Sequence, residues 1–269
     1  MCAQGIMTYQ SALITGASSG IGAAFARALP RATALLLTGR DRDRLNALAQ
    51  ELGLNGRQVR TVVADLTDAE GRYAVIGAAE TARVDLVINN AGIGQLGRVI
   101  DNSELREMEM VQVNIAAPVE ISRGLLPMML RHAHESGTRA GIINVASTAA
   151  FAPMPLFATY AASKTFLLNY TEALAEELAQ EPIDVLALCP GATETRFFER
   201  AGVENPPSGK LGSAPMHSAE RVAQEGLRAL GQERVHVVGP TNYLASIAMR
   251  LLPRRFITAA VENTLQKWK

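Results

Sequence analysis

Tyr160 and Lys164 stand four positions apart in "TYAASK" (159–164). On a helix that spacing puts both side chains on one face, where they can converge. A phenol is a poor acid near neutral pH, with a free pKa of about 10. An ammonium beside it favours the phenolate and brings the group toward the working range of an acid–base catalyst. The lysine is also unusual in this chain, which holds 22 arginines and four lysines, with Lys164 the only lysine before residue 210. A compact ammonium can take part in proton transfer, whereas a guanidinium stays protonated. A hydroxyl, Ser147, closes the apolar run "GIINVAS" 13 residues before Tyr160.

Groups of this kind need a scaffold, and the hydrophobic pattern describes one. Apolar, β-rich runs at 12–15, 34–38, 59–64, 84–89, 141–146, 183–189 and 234–239 alternate with amphipathic stretches such as 41–52 and 166–180. Strands apolar on both faces and separated by helices imply an α/β fold, a parallel sheet covered on both sides. No boundary divides the chain, so one domain is expected over residues 1–269. The Pro/Gly/Ser-rich stretch within 192–218 is expected to be a lid over the substrate, and 240–269 a helical extension.

The first strand runs into "TGASSGIG" (15–22), with Gly16, Gly20 and Gly22 spaced by Ser18, Ser19 and Ile21 before a helix of small residues. Glycines there let the backbone approach a pyrophosphate, whose charge is met by the helix N-terminus. The spacing is G-x-x-x-G-x-G, not the commoner G-x-G-x-x-G. At the end of the second strand, Gly39 is followed by Arg40, which can clamp a 2′-phosphate. Asp41 could instead accept from a ribose hydroxyl, but it also suits the N-cap of the next helix, the role preferred here. The reading therefore favours NADP(H) over NAD(H). Asp65 ends the third strand, where it could accept from the adenine amino group; alternatively, Asp65 or Asp68 caps the following helix.

Composition excludes several classes. The chain has 26 basic and 26 acidic residues, formal net charge +0, with no footprint for nucleic acid. Cys2 and Cys189 cannot make a disulfide framework and read as free thiols of a reducing cytosol, so a cytoplasmic location is expected. The first ten residues do not read as a signal peptide, and no apolar run approaches a bilayer span. His132 and His134, two apart, face different sides of a helix and make poor joint metal ligands; no metal is expected.

Taken together, "TGASSGIG", "NNAG" (89–92), Ser147, "YAASK" (160–164) and "PGATET" (190–195) resemble, in order and spacing, the short-chain dehydrogenase/reductases over about residues 10–240. The resemblance implies a Rossmann-type, doubly wound sheet of seven strands in the order 3-2-1-4-5-6-7. It implies that Asn90 stabilises the central sheet while Ala91 and Gly92 run past the cofactor. Asn114 would hold a water in a proton relay to Lys164, and Ser147 would bind the substrate oxygen. Tyr160 would be the general acid/base, and Lys164 would also bind the ribose. Pro190, Gly191 and Thr195 would border the nicotinamide; Thr193 stands where the family more often has valine. The implied reaction interconverts a carbonyl and an alcohol by hydride transfer, in a homodimer or homotetramer.

A non-catalytic dinucleotide sensor on the same fold would have no need for Asn114, Ser147, Tyr160 and Lys164 together. The loop after Ser147 is apolar, and Phe151, Met154, Leu156 and Phe157 are expected to line a pocket for an apolar small-molecule carbonyl or to pack on the lid or a second subunit. The tail after residue 240 is amphipathic, with Arg250, Arg254 and Arg255 among its apolar positions. Packing on the subunit or a second chain is preferred for it over peripheral contact with an anionic membrane.

Overall fold

The computed structural model of the chain describes residues 9–54, 56–205 and 216–268. Seven strands, β1 (Ser11–Thr15), β2 (Ala34–Gly39), β3 (Val59–Val63), β4 (Leu86–Asn89), β5 (Ala140–Val145), β6 (Ile183–Cys189) and β7 (Val235–Val237), form one sheet. Their order is β3-β2-β1-β4-β5-β6-β7, with every neighbouring pair parallel. The expected doubly wound arrangement is therefore present. Around it lie α1 (Gly20–Ala28), α2 (Arg42–Gly53), α3 (Ala69–Thr81), α4 (Glu104–Val111), α5 (Ala117–Ser136), α6 (Ala158–Glu177), α7 (Phe197–Arg200), α8 (Ala219–Ala229), α9 (Pro240–Leu251) and α10 (Arg254–Gln266).

The central strands are apolar throughout because alternate residues feed two cores. Ile14, Ile88, Ile143 and Leu186 meet Phe25 of α1 and Val222 of α8 on one face. Leu13, Val87, Ile142 and Val185 meet Ile121 and Leu125 of α5 on the other. Each such side chain contributes roughly 1.5–3 kcal/mol on burial, which fixes strand register and with it the positions of the strand ends. The chain leaves β3 at one edge and returns as β4 on the far side of β1. The C-terminal ends of β1 and β4 thus border the crevice where open α/β sheets bind ligands.

Two departures from simple helices matter for the site. Between α4 and α5 the chain adopts a π-helical turn, Gln112–Ala116, which re-aims Asn114. At the C-terminus α9 buries Ser246 and leaves Tyr243, Leu244 and Leu251 exposed. α10 turns back, and its Leu265 joins a cluster with Tyr160 and Phe198. Residues 206–215 of the expected lid lie outside the described residues. Among the described residues, no helix is long and apolar enough to cross a membrane.

Candidate active site

The glycine turn is held shut from the β4 side. Gly16 sits at φ +65, and a Cβ there would lie 2.9 Å from the Ala91 Cα. A Cβ on Gly22 would lie 2.5 Å from the Gly16 carbonyl oxygen and 2.6 Å from Asn90 Nδ2. Only glycine permits this approach. Asn90 Nδ2 donates to the carbonyls of Thr15 at 2.8 Å and Gly16 at 3.3 Å. The backbone N–H groups of Asn90 and Ala91 both donate to Thr15 Oγ1 at 3.0 Å. Asn90 therefore clamps the turn and ties the end of β4 to the end of β1, and its neighbour carries a second link across the sheet. Asn89 Nδ2 donates to Asn144 Oδ1 at 2.8 Å and to Ser122 at 3.1 Å, and Asn144 donates to Thr171 at 2.9 Å. The signal for this buried chain lay in polar residues inside apolar runs, such as Asn144 in "GIINVA".

At the end of β2, Asp41 caps α2, its carboxylate accepting from the Arg44 N–H at 3.1 Å. The cap is the role preferred from the sequence, and the half-exposed carboxylate also borders the cavity. Asp68 is the cap of α3, accepting from Gly71 at 2.6 Å. Asp65 remains on the cavity wall, accepting from Thr67 at 2.9 Å and facing Arg40 at 3.5 Å. Burial raises its pKa, but the Thr67 hydrogen bonds and the Arg40 charge outweigh that and hold it below the usual aspartate value.

Across the sheet, Ser147 follows β5 in extended backbone and accepts from Ala149 N–H at 3.1 Å, capping a short 3₁₀ turn. Tyr160 and Lys164 share one face of α6, with Nζ 5.9 Å from the centre of the phenol ring. Lys164 is 4% exposed and donates to the Val145 carbonyl at 2.8 Å. Its burial in this wall pulls its pKa down to about 8, with Cys189 acting weakly the other way. Burial pushes the Tyr160 phenol up to about 12, against the effect of its hydrogen bond with Ser147. That direction is the reverse of the lowering expected from the ammonium, because loss of water penalises the phenolate more than the surroundings restore.

Asn114 is fully buried and does not border the cavity. Its amide accepts from Ile93 N–H at 3.0 Å and donates to the Ile93 carbonyl and Ser163, both at 2.9 Å. The side chain thus fastens the loop after β4 to α6, and Gly22 likewise acts from behind the wall.

Pro190 accepts from Thr148 N–H at 2.9 Å, tying the end of β6 to the Ser147 turn. Thr193 turns inward, its hydroxyl donating to Gly191 at 3.0 Å. Thr195 accepts from Phe197 N–H at 3.2 Å and packs its methyl over Gly20.

A cavity of about 620 Å³ joins these groups, from Ser18 and Arg40 at one end to Ser147, Tyr160 and Met154 at the other. Gly16, Ser19, Gly20, Ile21, Asp65, Asn90, Ala91, Gly92, Lys164, Pro190, Gly191, Thr193 and Thr195 also border it. Of the four apolar loop residues, Met154 and Phe157 line the cavity and two do not. Phe151 lies under the Arg250 guanidinium at 4.7 Å, and Leu156 spends its carbonyl on Gly97. In their place Phe197, Phe198 and Trp268 complete the apolar end, and Arg106 adds one cation. Their distance along the chain hid them from the sequence reading. The close glycine turn, the anion-compatible Arg40 and the phenol–ammonium pair suit a nicotinamide dinucleotide laid along this cavity.

The short chain dehydrogenase family matches residues 10–205. A 1-deoxy-11-beta-hydroxypentalenate dehydrogenase of Streptomyces exfoliatus is 36% identical over 246 residues, covering 90% of this chain and 86% of that one. A short-chain dehydrogenase from Sphingobium yanoikuyae, solved with NADPH, superposes with a TM-score of 0.74 at 30% identity, covering 89% and 93%. Another from Burkholderia phymatum, solved with NAD, gives 0.76 at 25% identity, covering 91% and 94%. The chain belongs to the short-chain dehydrogenase/reductase family, oxidoreductases that act on alcohol and carbonyl groups with nicotinamide cofactors.

Proposed function

We propose that the chain is an NADP(H)-dependent oxidoreductase that interconverts an apolar carbonyl compound and its alcohol. The carrying observation is that Ser147, Tyr160 and Lys164 meet the glycine turn around one cavity whose far end is apolar. Bound nicotinamide supplies the hydride at the carbonyl carbon. Ser147 holds the carbonyl oxygen, and Tyr160, neutral at physiological pH, gives that oxygen its proton. Lys164, held near pH 8, is matched to returning a proton to the phenol. Asn114 keeps α6 and the β4 loop in register so that these atoms meet.

For the cofactor, the turn from Gly16 to Ile21 would hold the pyrophosphate, with Gly22 keeping that turn close, Asp65 would accept from the adenine amino group, and Asn90, Ala91 and Gly92 would run past the cofactor. Pro190, Gly191, Thr193 and Thr195 would border the nicotinamide. Arg40 with Asp41 engaged as a cap supports NADP(H). Exposed Leu105, Met108 and Phe166 on α4 and α6 support assembly as a homodimer or homotetramer.

The test is NADPH and NADH oxidation against carbonyls spanning polar to lipophilic compounds. Tyr160→Phe should lower kcat by about 10²–10⁴-fold while cofactor affinity holds; turnover near wild type would refute the assignment. Arg40→Ala should weaken NADPH about tenfold more than NADH; an equal effect on both would remove the NADP(H) reading. Small polar carbonyls outcompeting lipophilic ones would remove the apolar substrate.

A further inference from the structure

The segment around α7 touches both ends of the cavity. Phe197 lies 5.1 Å from the Tyr160 ring, and Phe198 meets Trp268 edge-on at 5.6 Å. Arg196 and Arg200, on either side of them, border the same cavity as Arg40, Asp41 and Asp65. Arg44, in the first turn of α2 after β2, is a fourth guanidinium, and its charge acts on Arg200 together with those of Arg40 and Arg196.

Three of the four have an acid partner. Arg40 pairs with Asp65 at 3.5 Å, Arg44 with Asp41 at 3.1 Å and Arg196 with Glu199 at 3.0 Å. Arg200 is exposed and has no acid partner within ion-pair distance among the described residues. After burial, its pKa is lowered by Arg196, Arg44 and Arg40, with Glu199 alone opposing. Three carboxylates offset three of these charges, which leaves the Arg200 guanidinium on the cavity wall as the one of the four available to meet an anion. A planar guanidinium also suits the oxygens of a phosphate monoester, which can accept from two arginines at once.

We infer that Arg200 makes a second contact to the cofactor's 2′-phosphate, opposite Arg40, so that this phosphate links α7 to the adenosine end of the cavity. The inference rests on the NADP(H) reading above. Because α7 also carries Phe197 and Phe198, the phosphate then orders the apolar pocket beside Tyr160, a service NADH cannot give. Arg200 is thus a specificity-determining residue, and cofactor identity reaches the carbonyl substrate through α7.

Trp268 is the single tryptophan of the chain, and its fluorescence reports the Phe198 contact directly. Wild type, R200A, R200K and R40A are titrated with 2′,5′-ADP, which carries the phosphate without a nicotinamide, and with 5′-AMP, which lacks it. R200A should weaken 2′,5′-ADP about tenfold, with R200K intermediate, and should abolish the Trp268 response. Binding of 5′-AMP should change less than twofold, and the 2′,5′-ADP advantage should fall with salt. The carbonyl KM should be lower with NADPH than with NADH in wild type and equal in R200A.

If R200A weakens 5′-AMP as much as 2′,5′-ADP, Arg200 is only structural and the inference fails. Unchanged 2′,5′-ADP binding with a raised carbonyl KM would assign Arg200 to a substrate anion, which also overturns it. In both cases loss of 2′,5′-ADP binding in R40A would leave the NADP(H) reading standing. Wild type that does not discriminate 2′,5′-ADP from 5′-AMP would remove that reading itself.

Discussion

Replacing Lys164 with methionine should destroy turnover and stabilise the fold, and the gain should fade as pH rises. The ammonium is 4% exposed, and burial lowers its pKa from 10.5 to about 8. At about 1.4 kcal/mol per pKa unit, the charged form costs the native state ~3 kcal/mol. Below pH 8 both folded and unfolded chains carry the proton, so the whole cost is present. Between pH 8 and 10.5 the folded chain releases its proton while the unfolded chain keeps it, and wild-type stability rises relative to an uncharged variant. Methionine fills similar volume without charge, but it leaves the Val145 carbonyl, which Lys164 contacts at 2.8 Å, without that donor. An unmet carbonyl costs about 1–3 kcal/mol, less where cavity water can reach it. The net expectation at pH 7.5 is K164M more stable by ~0–2 kcal/mol.

The difference between the two proteins across pH is the firmer quantity, since the carbonyl loss and other titrations cancel from it. Urea unfolding at pH 7.5 and pH 10, followed by far-UV circular dichroism, should show the K164M advantage shrinking by about 2 kcal/mol. An advantage that stays constant with pH would mean that Lys164 carries no desolvation cost, and the reasoning about its proton would fall with it.

Two further substitutions test the frame around these groups. Gly22→Ala forces a Cβ to 2.5 Å from the Gly16 carbonyl and 2.6 Å from Asn90 Nδ2. It should cost roughly 1–3 kcal/mol and weaken dinucleotide binding, read by denaturant unfolding and titration; wild-type values in both would show that the turn is not closed by Asn90. Asn144→Ala removes the acceptor of Asn89 and the donor to Thr171, all buried. A loss of about 2–4 kcal/mol is expected, and a loss below 1 kcal/mol would mean the chain of amides contributes little.

The covered parallel sheet was legible because apolar runs and helical stretches alternate almost from end to end, whereas the strand order came only from the resemblance that the motif set carries. Local pairs were legible too. Tyr160 and Lys164 are four apart on one helix, and Asp41 sits where a cap belongs. What escaped was whatever depends on neighbours distant in sequence. Nothing local marks Asn89 rather than Asn90 as the partner of Asn144, since that choice is made by sheet register. Phe151 and Phe157 look alike in an apolar loop, but Arg250 claims one and Tyr160 the other. Trp268 reaches the cavity only because α10 turns back on the body. Spacing likewise reveals the ammonium beside the Tyr160 phenol but not the burial that raises the phenol's pKa and lowers that of Lys164.

That burial explains why a chain rich in arginine keeps a lysine at position 164. Nζ lies against the Val145 carbonyl at 2.8 Å, and a Cβ on Gly92 would come within 3.2 Å of it. A guanidinium is planar and broader, with five N–H donors to satisfy in a wall where Lys164 donates to one carbonyl. It would also hold its proton in any surroundings. An ammonium in the same wall is brought to about pH 8 by the desolvation that makes it costly to the fold. The destabilisation and the proton-transfer capacity thus have one physical origin, so a substitution that removes the first must remove the second. Lysine is the residue for which that coupling lands near physiological pH.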